Sequence, residues 1–460
     1  MASAFIVNQI KETEMNVILL SGGSGKSLWP LSNGTRSKQF LCLLTAPDGT
    51  KESMMQRMVR QLREVVPGVK LTAVTSLEQR DIIVNQLGDN VDVVTEPVRR
   101  DTFPAIALAA AYMQSEKSCN SDDVVVVMPC DAYTDKSYFE SFGKMVDAVR
   151  SGVADLVLMG VRPQTASSTL GYIIPAVGEG NDGILPVEGF VEKPESDYAR
   201  QLMEQGAYWN TGVFVFRLGY LMKFAEEYLP VSDFRDFQKN YEKFPVTSFD
   251  CEVTERTLSR AMIVYEGSWK DLGTWQALSE ELDEVRNGNV TFDDTTSGTH
   301  AINELDIPLL CSGTKDLMVV ASPDGILVAD KSASDKVKDY VDTLALRPMY
   351  EERRWGTYRV IDRVEFDDGH NILTKQLNIK TGAHISYQLH RHRDEIWTFV
   401  DGEGRLVLDG VLRKVGRGDV VCIKKGQLHT VMADKDLCII EVQSGDQLTE
   451  EDIERFDWEW

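Results

Sequence analysis

A buried strand that breaks directly into glycines is the tightest constraint in this chain. Residues 16–40 read NVILLSGGSGKSLWPLSNGTRSKQF, with the apolar run Val17 to Leu20 followed at once by Ser21-Gly22-Gly23-Ser24-Gly25. The run has the length and character of a buried strand. Glycines placed there let the backbone approach a ligand and turn N–H groups toward phosphate oxygens. The spacing is neither G-x-G-x-x-G nor the G-K-[ST] ending of a P-loop. Lys26 and Lys38 bracket the LWPLS segment after the glycines, so positive charge is concentrated around the turn.

The next residues extend this beginning into an alternating pattern. Strand-like runs at Leu71 to Val74, Val124 to Met128 and Leu156 to Met159 alternate with helical spacing at Ser53 to Val65, Pro104 to Gln114 and Tyr138 to Val149. Such alternation predicts an α/β sandwich with a mainly parallel sheet, whose ligands lie beyond the C-terminal strand ends. From about Asn287 to Leu344 the pattern shifts to short β segments, including Leu317 to Ala321 and Gly325 to Ala329. Beyond Arg354, short strands and glycine turns, such as Trp397 to Val400, Arg405 to Leu408 and Val420 to Ile423, predict a β-barrel or jelly roll. At 460 residues the chain is too long for one ordinary core, and 43% apolar residues can fill several. The division expected is 1–286, 287–344 and 345–460.

A net charge of −23 argues against nucleic-acid and membrane-surface partners, which need clustered Lys and Arg. No apolar run has the length of a membrane span, and the first residues carry no signal-peptide pattern. The seven cysteines include no CxxC pair, so reduced thiols and a cytoplasmic location are expected.

The order GGSG, LWPLS, SKQF closely resembles the opening of the sugar-phosphate nucleotidyltransferases, in particular the mannose-1-phosphate guanylyltransferases, whose usual form is GGxGTRLWPLS followed by PKQF. Here Lys26-Ser27 stand where that family has Thr-Arg, and Ser37 where it has Pro. Further segments follow in the family's order. Glu96-Pro97-Val98-Arg99-Arg100-Asp101-Thr102 resembles EPxGRNT, with Arg99 for Gly and Asp101 for Asn; Pro129-Cys130-Asp131 follows a strand; Phe190-Val191-Glu192-Lys193-Pro194 matches FVEKP; Trp209-Asn210-Thr211-Gly212 resembles W-N-[ST]-G; and Trp269-Lys270-Asp271-Leu272-Gly273-Thr274-Trp275 resembles W-x-D-x-G-x-W.

The resemblance implies a Rossmann-like nucleotidyltransferase domain, a β-rich, β-helix-like connector, and roles for these residues. Gly22, Gly23, Ser24, Gly25, Lys26, Lys38, Glu96 and Arg100 would hold the nucleotide. Gly171, Tyr172, Glu192, Lys193, Asn210 and Asp250 would line the sugar pocket. Asp131 and Asp271 would share Mg²⁺, which prefers few protein oxygens plus phosphate and water. The implied reaction is in-line attack of a sugar-1-phosphate oxygen on the nucleotide α-phosphorus. The nucleophile is already an anion, so catalysis reduces to positioning and charge neutralisation by Lys38, Lys193, Asp131 and Asp271. The family arginine contacts the triphosphate, and deleting such a contact typically costs about 10²–10³ in rate. Ser27 is therefore the departure that bears most directly on turnover.

Five of the six histidines fall at 370, 384, 390, 392 and 429. In a strand, positions 388, 390 and 392 share one face, which would bring Gln388, His390 and His392 together. With Gly402 and the later Gly418-Asp419…His429, these segments resemble the two cupin motifs, with Lys424 where proline is usual. Imidazoles with Gln388 and Glu395 suit Zn²⁺ or another divalent metal. QLHRHRDEIW and EVQSGDQLTEEDIERF resemble the type II phosphomannose isomerase domain fused to such transferases, with Arg391 and Ile396 at its His positions. Arg393 is the candidate to neutralise a sugar-6-phosphate.

The reading that results is an enzyme making GDP-mannose from GTP and mannose-1-phosphate, expected as a homodimer, whose cupin either isomerises mannose-6-phosphate as a second activity or has become structural. The alternatives are a related transferase using another nucleotide or sugar-1-phosphate, and a nucleotide-sugar-binding protein impaired by Ser27.

Overall fold

Val17, Ile18 and Leu19 are fully buried in strand β1 (Asn16–Leu20), which has a parallel neighbour on each side. The computed structural model describes residues 15–23, 25–176, 183–230, 233–341, 343–344 and 347–460. Contacts group them into two compact units. One holds the described residues of 1–24 with Ser37–Asp283; the other holds Gly25–Arg36 and Glu284–Trp460.

Among the described residues, nine strands form the main sheet of the first unit. Their order is β3 (Asp92–Glu96), β2 (Lys70–Ser76), β1, β4 (Val124–Pro129), β9 (Tyr208–Arg217), β6 (Leu156–Val161), β10 (Arg260–Tyr265), β8 (Ile184–Val191) and β7 (Tyr172–Pro175). A separate two-stranded ribbon pairs β5 (Ala132–Thr134) with β11 (Trp269–Asp271). Pairing is parallel across β3, β2, β1 and β4 and again between β6 and β10; β9 is antiparallel to its neighbours. From β1 the chain builds outward to β2 and β3, then returns to the other side of β1 as β4. That reversal is a switch point, where an open α/β sheet leaves a crevice at its strand ends.

The continuous apolar run of β1 follows from burial on both faces. Val17 and Leu19 join one core cluster with Met55, Met58, Phe139 and Phe142, while Ile18 joins another with Phe103, Ile106 and Leu108. Each such side chain contributes about 1.5–3 kcal/mol by leaving water. Helix Met54–Val65 starts where the sequence marks it, with Ser53 and Gln56 forming a reciprocal capping box. Helix Thr102–Glu116 is buried along most of its length, which explains its alanine-rich, weakly amphipathic sequence.

In the second unit, strands Arg286–Gly288, His300–Asn303 and Leu317–Ser322 pair in parallel, and Gly325–Asp330 closes the sheet antiparallel. Among the described residues no helix joins these parallel strands, so successive turns of chain stack directly, unlike a helix-crossover sheet. The C-terminal part is a double-sheet β-barrel of six and five strands. Trp397, Phe399, Leu406, Val431 and Ile439, drawn from both sheets, fill the space between them.

Candidate active site

The glycine turn is held by its own returning limb. The Gln39 amide donates to Ser21 O at 3.2 Å, and the Ser37 hydroxyl to Gly23 O at 3.1 Å. Buried Gln79 reaches the same stem, donating to Gly23 O at 3.1 Å and to the Ser37 hydroxyl at 2.6 Å. The sequence gives no local signal for Gln79, an isolated amide after β2. Gly22 and Gly23 belong to this stem, and Ser24 lies outside the described residues. Gly25 and Lys26 group instead with the second unit. There Gly25 sits at φ +69°, and a Cβ on it would lie 1.7 Å from Asn33 O, so glycine is required for the turn itself.

The ribbon β5–β11 explains how two distant acids meet. Asp271 pairs with Ala132, next to Asp131, which places both carboxylates at one end of the ribbon. Like charges so placed repel. Lys38 relieves this, its Nζ lying 2.8 Å from Asp271 Oδ1 and 3.1 Å from Asp131 Oδ2. Burial disfavours the ammonium, but the charges of Asp131 and then Asp271 outweigh it and hold Lys38 above the ordinary lysine range. The lysine side chain is 14% exposed, the carboxylates 39% and 44%, so the acids face the opening. Two carboxylates already gathering a cation, with their outer sides accessible, fit a site for a divalent ion bound with phosphate.

Beside them lies a cleft of about 210 Å³, lined by Asp131, Gly171, Glu192, Lys193, Asn210, Asp250 and Asp271, among others. A register shift in β9 between Asn210 and Phe214 breaks the ladder and turns Asn210 toward this cleft. The Asn210 amide donates to Asp250 Oδ1 at 2.9 Å, and its oxygen accepts from Gly212 N at 3.2 Å. Asp250 opens a π-helical turn, Asp250–Thr254, a geometry frequent at functional sites. Burial first, then the charge of Glu192, push its carboxyl up to about 8, with Lys193 opposing. Lys193 lies 2.8 Å from Glu192 and holds φ +44°, a conformation that costs about 1–3 kcal/mol in a non-glycine residue. Gly171 gives Glu192 room: a Cβ there would stand 2.7 Å from Glu192 Oε2 and 2.8 Å from Phe190 Cζ. Thr169 and Trp269 also line the cleft and were not expected there. Both adjoin or open family-like segments, which is the only sequence signal they carry.

Two expected contacts, those of Tyr172 and Glu96, are corrected. Tyr172 is fully buried; its hydroxyl donates to Ser167 O and accepts from Trp209 Nε1, so it braces the sheet while its neighbour Gly171 lines the cleft. Glu96 is buried and accepts from the Tyr241 hydroxyl, and burial raises its carboxyl above the usual range. Arg100 donates to Phe244 O at 2.7 Å. A tertiary partner 145 residues away in chain holds Glu96 within the protein, where the resemblance placed it at a nucleotide; the half-buried Arg100 keeps the rest of its guanidinium uncommitted by this bond.

In the barrel, His390, Glu395 and His429 converge, with ligand atoms within 4.8 Å of one another. His390 Nδ1 faces Asp452 O at 3.2 Å and His429 Nδ1 faces Gln427 O at 3.0 Å. Backbone carbonyls at Nδ1 fix the tautomer that turns each Nε2 lone pair inward. The buried His429 Nε2 has no hydrogen-bond partner among the described residues, which fits a metal ligand. Burial opposes the Glu395 charge, yet the hydrogen bond and charge of His390, then His429 and Arg393, hold it well below the usual carboxylate range. Gln388 lies at the rim, its amide nitrogen 3.4 Å from His390 Nε2.

His392 does not join them. The strand ends at Leu389, so the two-residue alternation fails, and His392 turns outward to Asp446 at 3.4 Å. Arg393, the candidate to neutralise a sugar-6-phosphate, is buried. It donates to Glu395 at 2.9 Å and to Thr449 O at 3.0 Å, with Nη2 3.3 Å from His390 Nε2. Glu441 and Gln443, alternate residues of strand Leu437–Gly445, complete the polar interior. They lay unassigned within the closing segment EVQSGDQ.

Residues 16–288 match the nucleotidyl transferase family, and residues 346–458 match the mannose-6-phosphate isomerase C-terminal family. The mannose-1-phosphate guanylyltransferase of Escherichia coli is 30% identical over 97% of this chain and 98% of its own. That of Salmonella typhimurium, ManC, is 31% identical over 97% and 98%. A solved structure from Thermus thermophilus, described as a mannose-1-phosphate geranyltransferase, shares the fold. It has a TM-score of 0.57 and 24% identity over 72% of this chain and 98% of that one.

Proposed function

The chain belongs to the nucleotidyl transferase family, among the mannose-1-phosphate guanylyltransferases, and on that premise we propose that it joins GTP and mannose-1-phosphate into GDP-mannose and pyrophosphate. The observation that carries this is Lys38 set between Asp131 and Asp271 at the mouth of a cleft holding Glu192, Lys193, Asn210 and Asp250. A phosphate oxygen of the sugar attacks the α-phosphorus; the bond to the α–β bridging oxygen breaks, and pyrophosphate leaves. No proton need move, because the nucleophile enters as an anion. Lys38 and Lys193 neutralise charge that builds on the transferring phosphoryl group. The paired Asn210 and Asp250, with Glu192, orient the sugar through its hydroxyls. Asp131 and Asp271 would hold Mg²⁺, whose contribution when bound is charge stabilisation at the phosphates.

The supporting division is a transferase domain 1–286, a connector 287–344 and a cupin 345–460, acting as a cytoplasmic homodimer. Among the described residues no helix is long and apolar enough to cross a membrane. His390, Glu395 and His429 would hold Zn²⁺ or another divalent ion, a Lewis acid for a sugar carbonyl when bound. Isomerisation of mannose-6-phosphate is the activity this arrangement suits, with Arg393 fixing Glu395 and His390 in place.

Pyrophosphate release across a panel of nucleoside triphosphates and sugar-1-phosphates tests the reading. GTP with mannose-1-phosphate should lead the panel. A different leading pair would overturn the specificity. No turnover by the natural chain, with turnover by Ser27→Arg, would mark a nucleotide-sugar-binding protein.

A further inference from the structure

The segment LWPLSNGTR holds none of the residues given a role in the guanylyl transfer, yet several of its side chains are anchored. Its anchors lie on the connector and the first barrel strand, within the second unit. Leu28 and Leu31 are buried, and the Ser322 hydroxyl donates to Pro30 O at 2.7 Å. A Cβ on Gly325 would lie 2.4 Å from Trp29 Cζ2, so the connector backbone is pared to a glycine where the indole rests. Asn33 is the node. Its oxygen accepts from Thr35 N and Arg36 N, closing the turn, while its amide donates to Asp324 Oδ2 at 2.7 Å and to Tyr350 O at 3.2 Å. Arg36 completes the attachment with a two-pronged grip on Glu304 at 3.1 and 3.0 Å, with Glu352 3.8 Å away and the Tyr350 ring 5.5 Å from its guanidinium.

The chain reaches this attachment directly from the glycine turn and leaves it into Ser37 and Lys38. We propose that the connector positions its own part of the nucleotide loop: Glu304, Asp324 and Ser322 clamp residues 25–36, the stretch that opens with Gly25 and Lys26. The inference rests on the guanylyltransferase reading, since it assigns the clamp to GTP. The sugar-pocket residues arise from other strands, so the clamp acts on one substrate. Glu304, Asp324 and Ser322 are positioning residues, remote in sequence from every residue given a catalytic role.

Equilibrium titration of the full chain with magnesium GTP reads the clamp without turnover. Arg36→Glu and Glu304→Arg should each weaken GTP binding about tenfold or more, as loss of a charge-assisted fork would. The KM for mannose-1-phosphate should stay within about twofold, and the doubly exchanged chain, Arg36→Glu with Glu304→Arg, should recover most of the GTP affinity. A structural defect alone would weaken both substrates and would not be repaired by the exchange. Amide exchange adds a second readout: residues 25–36 should lose protection in the single variants while strands Val124–Pro129 and Leu437–Gly445 keep theirs. Single variants that bind GTP like the natural chain, or an exchanged pair that fails to recover, would overturn the clamp. A natural chain that binds no GTP would overturn the reading beneath it.

Discussion

Asp250→Asn isolates the energetic consequence of crowding acids into the sugar cleft. Burial and the Glu192 charge raise the Asp250 carboxyl from 3.8 up to about 8. A carboxyl raised in the fold opposes folding wherever the unfolded chain would ionise it. The folded state is therefore unpenalised below pH 3.8, loses stability steadily as pH rises, and carries the whole penalty above about 8. At about 1.4 kcal/mol per pH unit the ceiling at pH 7 is roughly 4 kcal/mol. Asparagine keeps the oxygen that accepts from the Asn210 amide but cannot ionise. The variant should gain about 2–4 kcal/mol over the natural chain at pH 7 and almost nothing at pH 4, each kcal/mol appearing as about 2–4 °C in a unit of this size. Calorimetry from pH 4 to 9, on the transition that magnesium GTP raises, measures the gain. Two stability curves that run parallel over this range would refute the reasoning. The gain in stability should accompany a higher KM for mannose-1-phosphate, as expected of an acid kept for binding.

Lys38→Met should lower kcat/KM by about 10²–10³ in the pyrophosphate assay, and Lys38→Arg should recover little, because a planar fork does not replace a point charge between two carboxylates. Gly171→Ala should raise the KM for mannose-1-phosphate and leave that for GTP unchanged, since the added carbon displaces Glu192 alone among the charged cleft residues. Metal analysis of a His390→Ala, His429→Ala chain should show the barrel site emptied, whereas His392→Ala should retain its metal; equal loss in both would refute the ligand assignment. Chelation should abolish pyrophosphate release, and added Mg²⁺ should restore it.

Elements buried on both faces were legible because burial leaves a local trace. Val17-Ile18-Leu19 and Val124 to Met128 are apolar at every position, as two-sided strands must be. The cleft acids Asp131, Glu192 and Asp271 were legible as short segments, each beside a strand end that the topology then gathered. What was lost depends on partners distant in the chain. Whether Gly171 or Tyr172 faces the cleft is set by how β7 pairs with β8 and β9, which no local pattern encodes. His392 fails for a similar reason. The Asp452 carboxylate accepts from Arg391 N and His392 N, stabilising a turn where alternation alone would continue the strand. Sixty residues separate that carboxylate from the amide it caps.

The formal charges at the cleft explain how an acidic protein accepts two anions. Lys38 and Lys193 face Asp131, Asp271, Glu192 and Asp250, so the acids outnumber the lysines. The raised carboxyl of Asp250 removes one negative charge near neutral pH, and still the lysines do not prevail. A bare triphosphate would therefore meet repulsion at the ribbon end, and the glycine turn offers only partial positive charge. An anion accompanied by its own divalent cation would meet the opposite situation, because Asp131 and Asp271 would hold the cation and Lys38 would be left to neutralise phosphate. The surplus of carboxylates would thus disfavour the bare nucleotide relative to its metal complex, so GTP titrated without a divalent cation should bind more weakly than magnesium GTP.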